Sequence, residues 1–247
     1  MVAAVLVLAF LVSLALAPAW KMKELRLLAS GDPAVGELAG HPANPGHEMD
    51  SLLRERAYKR ALLQVAESDS IQLVIHLSDS TVLLQMKGVI LHSTKIRTLE
   101  SDRFLDRLPL EVETVLLSHP LPLKHQTATI VKEPVVERQA PKDTAEAALT
   151  AWAPDTLIQN PAFVALDTEC GIRVVLEQEV NPRVFGPVEP NVLPRRHGPS
   201  PDRTLTAGLF HRKKLDYIPT VQMTLPVEDL RSIYRALPDQ ALVVLKL

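Results

Sequence analysis

Thr220-Val-Gln-Met-Thr-Leu-Pro-Val-Glu-Asp-Leu-Arg-Ser-Ile-Tyr-Arg-Ala-Leu-Pro-Asp-Gln-Ala-Leu-Val-Val-Leu-Lys-Leu247 reads as a strand, a helix and a second strand. Val221, Met223 and Leu225 alternate with Gln222 and Thr224, the period of a strand with one buried face. Pro226 stands where a helix begins, and Glu228 and Asp229 put negative charge in its first turn. Leu230, Ile233, Tyr234 and Leu237 then fall on one helical stripe, Pro238-Asp239 stops the helix, and Ala241 to Leu247 form a short apolar strand. This is scaffold, with no chemistry on it.

The same periodicities extend upstream. Ile71, Leu73, Ile75 and Leu77 alternate, Ser78-Asp79-Ser80 turns, Thr81 to Met86 returns, Lys87-Gly88 turns again, and Val89 to Ile96 completes a meander. Before it, Leu53, Ala57, Tyr58, Ala61, Leu62 and Val65 keep helical spacing between Asp50 and Glu67, with Arg54, Arg56, Lys59 and Arg60 opposite them. That basic face reads as solvated. Gly31-Asp32-Pro33, Gly40-His41-Pro42 and Asn44-Pro45-Gly46 are turn signals in series, so residues 21–49 are expected to be a linker. Val112 to Ser118 is apolar, and the prolines at 120, 122, 134 and 141 predict a connector over 119–142, with an edge strand at Thr127 to Val131 and a possible domain split. Asp143 with Glu146 resembles a capping pair opening a short helix that ends before Pro154. Phe163 to Leu166 and Ile172 to Val180 read as strands, the second with one charged face, and proline-rich residues 181–203 read as a long surface loop.

With 47% apolar residues in 247, the chain can bury a core. Its net charge of -2 gives no field favouring nucleic acid, and an aromatic content of 4% offers no stacking surface for one. Val2 to Trp20 carries no charge and as a helix would span roughly 28 Å, close to a bilayer's hydrocarbon thickness. Residues 1–20 are therefore expected to be a membrane anchor, with Trp20, Lys21, Lys23 and Arg26 as its interfacial flank. The rival is a cleaved signal peptide, but Pro18 after Ala15-Leu16-Ala17 suits cleavage poorly and no basic region precedes the apolar run.

Two patches resemble a known family. Ser70 to Ile90 is similar to the opening hairpin of the L,D-transpeptidase catalytic domain, the YkuD-type fold that cross-links bacterial peptidoglycan, and Val221 to Tyr234 resembles the strand and helix after that family's nucleophile. In the family that strand is entered through Ser-His-Gly-Cys. Here Tyr217-Ile218-Pro219-Thr220 takes those places, so the resemblance implies a shared frame without its catalytic cysteine and histidine. The resemblance also implies a cell-envelope setting and places the body on the envelope side, whereas basic residues after the span favour the cytoplasmic side.

The chemical candidates are few. Cys170 is the chain's one cysteine, so it is the sole thiol nucleophile available and no disulfide or multi-cysteine zinc site can form within the chain. Against a catalytic role, Asp167 and Glu169 flank it and no histidine lies within ten residues; a lone cysteine is more commonly a small packing residue. His76, His92 or His125 would have to reach it through the fold. Ser118 and His119 point to opposite faces if that segment is extended, and His41, His47, Glu48, His119 and His125 match no metal-binding spacing. With only 9 glycines the chain carries neither GxGxxG nor GxxxxGK[ST], so no nucleotide is expected, nor any other cofactor or metal. Arg212, Lys213 and Lys214 form the densest basic cluster, a candidate contact for phosphate or an acidic partner beside the simpler reading of a solvated turn.

These readings predict an α+β protein: a mainly antiparallel β body over 50–247, a few short helices and one N-terminal transmembrane helix. The function they predict is that of a membrane-anchored, non-catalytic envelope module that binds an envelope protein or peptidoglycan. The alternative is an L,D-transpeptidase-like enzyme or other hydrolase using Cys170.

Overall fold

The computed structural model describes residues 17–31, 47–130, 132, 161–179 and 217–247. Helix α1 covers residues 17–30. It is followed by α2 (His47–Ala66), β1 (Gln72–His76), β2 (Thr81–Met86), β3 (Val89–Lys95), β4 (Thr98–Ser101), a 3-10 turn (Leu105–Arg107) and α3 (Leu110–Ser118). Then come β5 (Leu121–Ala128), β6 (Phe163–Thr168), β7 (Arg173–Gln178), β8 (Thr220–Leu225), α4 (Val227–Ala236) and β9 (Leu242–Lys246). The α+β class and the antiparallel bias hold: among the described strands only β1 with β9 and β7 with β8 pair in parallel.

The strands lie in the order β3-β2-β1-β9-β5-β6-β7-β8-β4. The two outermost strands are consecutive in sequence and separated only by Ile96 and Arg97. Thr81 pairs with Lys95 on one side of this continuous stretch, Thr98 pairs with Thr224 on the other, and the Arg97 amide donates to the Thr224 carbonyl at 2.8 Å. The sheet therefore closes on itself as a barrel, which removes most of the exposed edge of an open sheet.

Alternation fills the interior. Leu73, Ile75, Val82, Leu84, Val164, Leu166, Val174, Leu176, Val221, Met223, Val243 and Leu245 belong to one buried cluster. Helix α4 plugs one end of the barrel, its Leu230, Ile233, Tyr234 and Leu237 joining that cluster between the end of β8 and the start of β9. Phe104, Leu105, Leu108, Val112 and Leu117, from the 3-10 turn and α3, close the other end. The flank is covered by α2, whose Tyr58, Ala61 and Val65 pack on Val74 and Val244 from the outer face of β1 and β9.

Four features differ from the sequence reading. Residues 21–30, expected in the linker, are helical, and α1 buries Ala17, Lys21, Leu25 and Ala29 at every fourth position, with Leu25 and Ala29 in the main core. Lys21, expected at a membrane interface, is buried against the barrel and paired with Glu24 at 3.2 Å. Residues 121–128, expected in a connector, form a strand between β9 and β6; Pro122 is tolerated because the pairing with β9 is confined to Leu121 and Pro122 at the strand's end. The β6 and β7 faces are buried on both sides, because Phe163, Ala165 and Val175 form a second apolar patch outside the barrel.

Among the described residues no helix is long and apolar enough to cross a membrane. Residues 1–16, which hold most of the expected span, lie outside the described residues, as do the predicted helix over 143–152 and the loop over 181–203.

Candidate functional site

Cys170 sits in the turn between β6 and β7. The Gly171 amide donates to the Thr168 carbonyl at 3.0 Å, and Gly171 takes φ +78°, a left-handed conformation that glycine adopts without a Cβ penalty. The Thr168 hydroxyl stands at the centre: it donates to the Ile172 carbonyl at 2.8 Å, accepts from the Ile172 amide at 3.1 Å and lies 3.0 Å from Cys170 Sγ. One residue either side, Arg173 grips Asp167 with two bonds, Nε to Oδ1 at 2.5 Å and Nη2 to Oδ2 at 3.1 Å. The Lys21 ammonium lies directly over Gly171, where a Cβ would collide with it.

This turn lies beside the approach to β8. The parallel register pairs Arg173 with Thr220, and the Arg173 amide donates to the Pro219 carbonyl at 2.9 Å. Tyr217 donates its hydroxyl to Asp102 Oδ2 at 2.5 Å, and burial followed by the Asp102 carboxylate raises the phenol's pKa. Asp102 Oδ1 accepts from the Phe104 amide at 3.0 Å, and the Asp102 amide donates to the Thr220 carbonyl at 3.0 Å. The Thr220 hydroxyl bonds the Ile218 carbonyl at 3.1 Å. Tyr217, Pro219 and Thr220 therefore bind β8 to β7 and to the segment that follows β4.

His76 and His92 have partners of their own. His76 Nε2 lies 2.5 Å from the Tyr58 hydroxyl and its Nδ1 3.6 Å from Asp79 Oδ2, at the end of β1 under α2. Burial, and then the Lys246 ammonium, lower the pKa of this imidazole, against the opposing pull of Asp79 and Glu55. Tyr58 is pushed up to about 12, chiefly by burial. At the α4 end of the barrel His92 Nε2 lies 3.1 Å from Asp229 Oδ1. His125, exposed on β5, stands opposite Asp167 in the β5–β6 register.

Ser118 ends α3 in a helix rather than a strand, and its buried hydroxyl donates to the Val115 carbonyl at 2.8 Å. Arg212, Lys213 and Lys214 lie outside the described residues, as does His41. Among the described residues no group of three His, Cys, Asp or Glu side chains converges on a common point. The Tyr58–His76, Thr94–Asp229 and Tyr217–Asp102 contacts join residues 18, 135 and 115 positions apart, so no local sequence pattern announces them.

No protein-family model, curated protein or solved structure matches the chain.

Proposed function

We propose that the chain is a membrane-anchored, non-catalytic module of a bacterial envelope, tethered through residues 2–20 with its barrel on the envelope side, where it binds an envelope protein or peptidoglycan. One observation carries the non-catalytic part: Tyr217, Pro219 and Thr220, which replace the nucleophile motif of the family resembled, are spent on bonds that hold β8 to its neighbours. A thiolate with a partnering imidazole is what acyl transfer by that route requires, and at that place there is a threonine following a proline. The anchor rests on the uncharged run from Val2. Cell fractionation with protease treatment of spheroplasts tests it. Recovery in the membrane fraction with a protease-sensitive body is expected, and a soluble, shortened chain would remove the anchor.

The enzyme alternative has one observation in its favour. The turn holding Cys170 lies beside the start of β8, with Lys21 over the adjoining Gly171. Iodoacetamide labelling of folded protein between about pH 5 and about pH 9 separates the readings, because a catalytic thiol reacts as a thiolate well below the ordinary cysteine range. Inertness across that range is expected, and rapid labelling at its acid end would favour the enzyme.

A further inference from the structure

Helix α1 is two-sided. Its Ala17, Lys21, Leu25 and Ala29 face the barrel, while Trp20, Leu27 and Leu28 are 55%, 65% and 59% exposed. In helical projection Trp20, Lys23 and Leu27 share the outward face, with Arg26 and Glu24 at its margins. The Glu24 carboxylate is already paired with the buried Lys21. Glu24 itself remains exposed, so this surface carries one carboxylate beside the cationic Lys23 and Arg26.

We infer that this outward face of α1 lies on an anionic bilayer surface and seats the barrel with its Cys170 end toward the membrane. The inference rests on the anchor proposed above and adds to it an orientation and a second contact. The occupant is specified by the chain itself. The uncharged run from Val2 leads into the described part of α1, which packs on the barrel from Ala17 onward, so a bilayer holding the earlier residues of the run lies next to the helix. An exposed tryptophan and leucine flanked by lysine and arginine are the groups that partition at the headgroup boundary and attract anionic lipid. The barrel sets the orientation: α1 contributes Leu25 and Ala29 to the core, and Lys21 lies on the β6–β7 turn, so the helix cannot settle on lipid without bringing that end with it. Ile218, 39% exposed, belongs to the same end, at the approach to β8. The exposed Val89, Ile90 and Leu91 begin β3 at the opposite end, by α4.

The test uses the full chain with Cys170→Ser, a nitroxide on either Leu27→Cys or Val89→Cys, and vesicles of phosphatidylcholine with phosphatidylglycerol. Flotation reports anchoring, and collision with a water-soluble paramagnetic quencher reports depth. On floated protein the label at 27 is expected to lose collisions several-fold relative to the protein in detergent, while the label at 89 does not change. Flotation with both labels equally accessible would overturn the docking and leave the anchor standing. Failure to float would overturn the anchor and the docking with it. Undiminished protection on pure phosphatidylcholine would overturn the role given to Lys23 and Arg26.

Discussion

The Thr94 hydroxyl donates a 2.5 Å hydrogen bond to Asp229 Oδ2, tying the strand that closes the barrel to the first turn of the helix that plugs it. His92 holds the other oxygen of the same carboxylate at 3.1 Å. Thr94→Val keeps the shape and removes the donor, and is expected to cost about 1–2 kcal/mol in urea unfolding. Asp229→Ala loses both contacts and a first-turn negative charge, for about 2–3 kcal/mol. A valine variant as stable as the wild type would refute the role of this contact.

Arg54 of α2 and Glu113 of α3 form a pair of the opposite kind, a 2.8 Å bond between a half-exposed guanidinium and a buried carboxylate. The Glu113 partner raises the arginine's pKa. Because solvent reaches the arginine, its loss is expected to cost about 1–2 kcal/mol rather than the larger cost of breaking a fully buried pair. In a double-mutant cycle Glu113→Gln should relieve much of the damage done by Arg54→Ala. Simple additivity would show that the two do not interact.

His76 makes stability depend on pH in a definite direction. Its folded pKa lies below the ordinary value of about 6.5, so the unfolded chain binds the proton more readily. The contribution is intact above that ordinary value and is lost as pH falls through it toward the folded pKa. His76→Gln, which keeps an acceptor for the Tyr58 hydroxyl, should flatten this part of the curve when unfolding free energy is measured from about pH 7.5 down to about 5. An unchanged slope would assign the acid sensitivity to other groups.

Gly171→Ala meets two obstacles together, a φ of +78° and the Lys21 ammonium. The backbone penalty is expected to exceed about 1 kcal/mol. The lysine, displaced from its seat, should release α1 to protease ahead of global unfolding. Equal protease sensitivity of α1 in wild type and variant would show that the helix does not depend on this seat.

The fold was legible where periodicity was strong. Leu230, Ile233, Tyr234 and Leu237 announced α4 and its buried stripe, and the alternation from Ile71 to Ile96 announced β1 to β3. It was illegible where a local signal was outweighed by a distant partner. Pro122 argued against a strand, yet β9 and β6 flank that segment; Lys21 argued for a membrane interface, yet Glu24 and the Gly171 turn allow it to be buried. Closure of the sheet was invisible for the same reason, since it depends on Thr98 meeting Thr224. At the candidate site, the absence of a histidine within ten residues of Cys170 could be read directly, but His125 opposite Asp167 and the Thr168 hydroxyl beside the sulfur could not.

The closed ring also dictates when this protein can become itself. Among the described residues β1 finds its second neighbour in β9 and β4 its neighbour in β8, so residues made early in synthesis wait for strands made more than a hundred positions later. Such long-range closure folds slowly and leaves β1 and β4 with unpaired edges in the meantime. A nascent chain stalled before Thr220 would present those edges to the translation machinery and its chaperones, which makes the segment carrying β8 and β9 a checkpoint for closing the barrel.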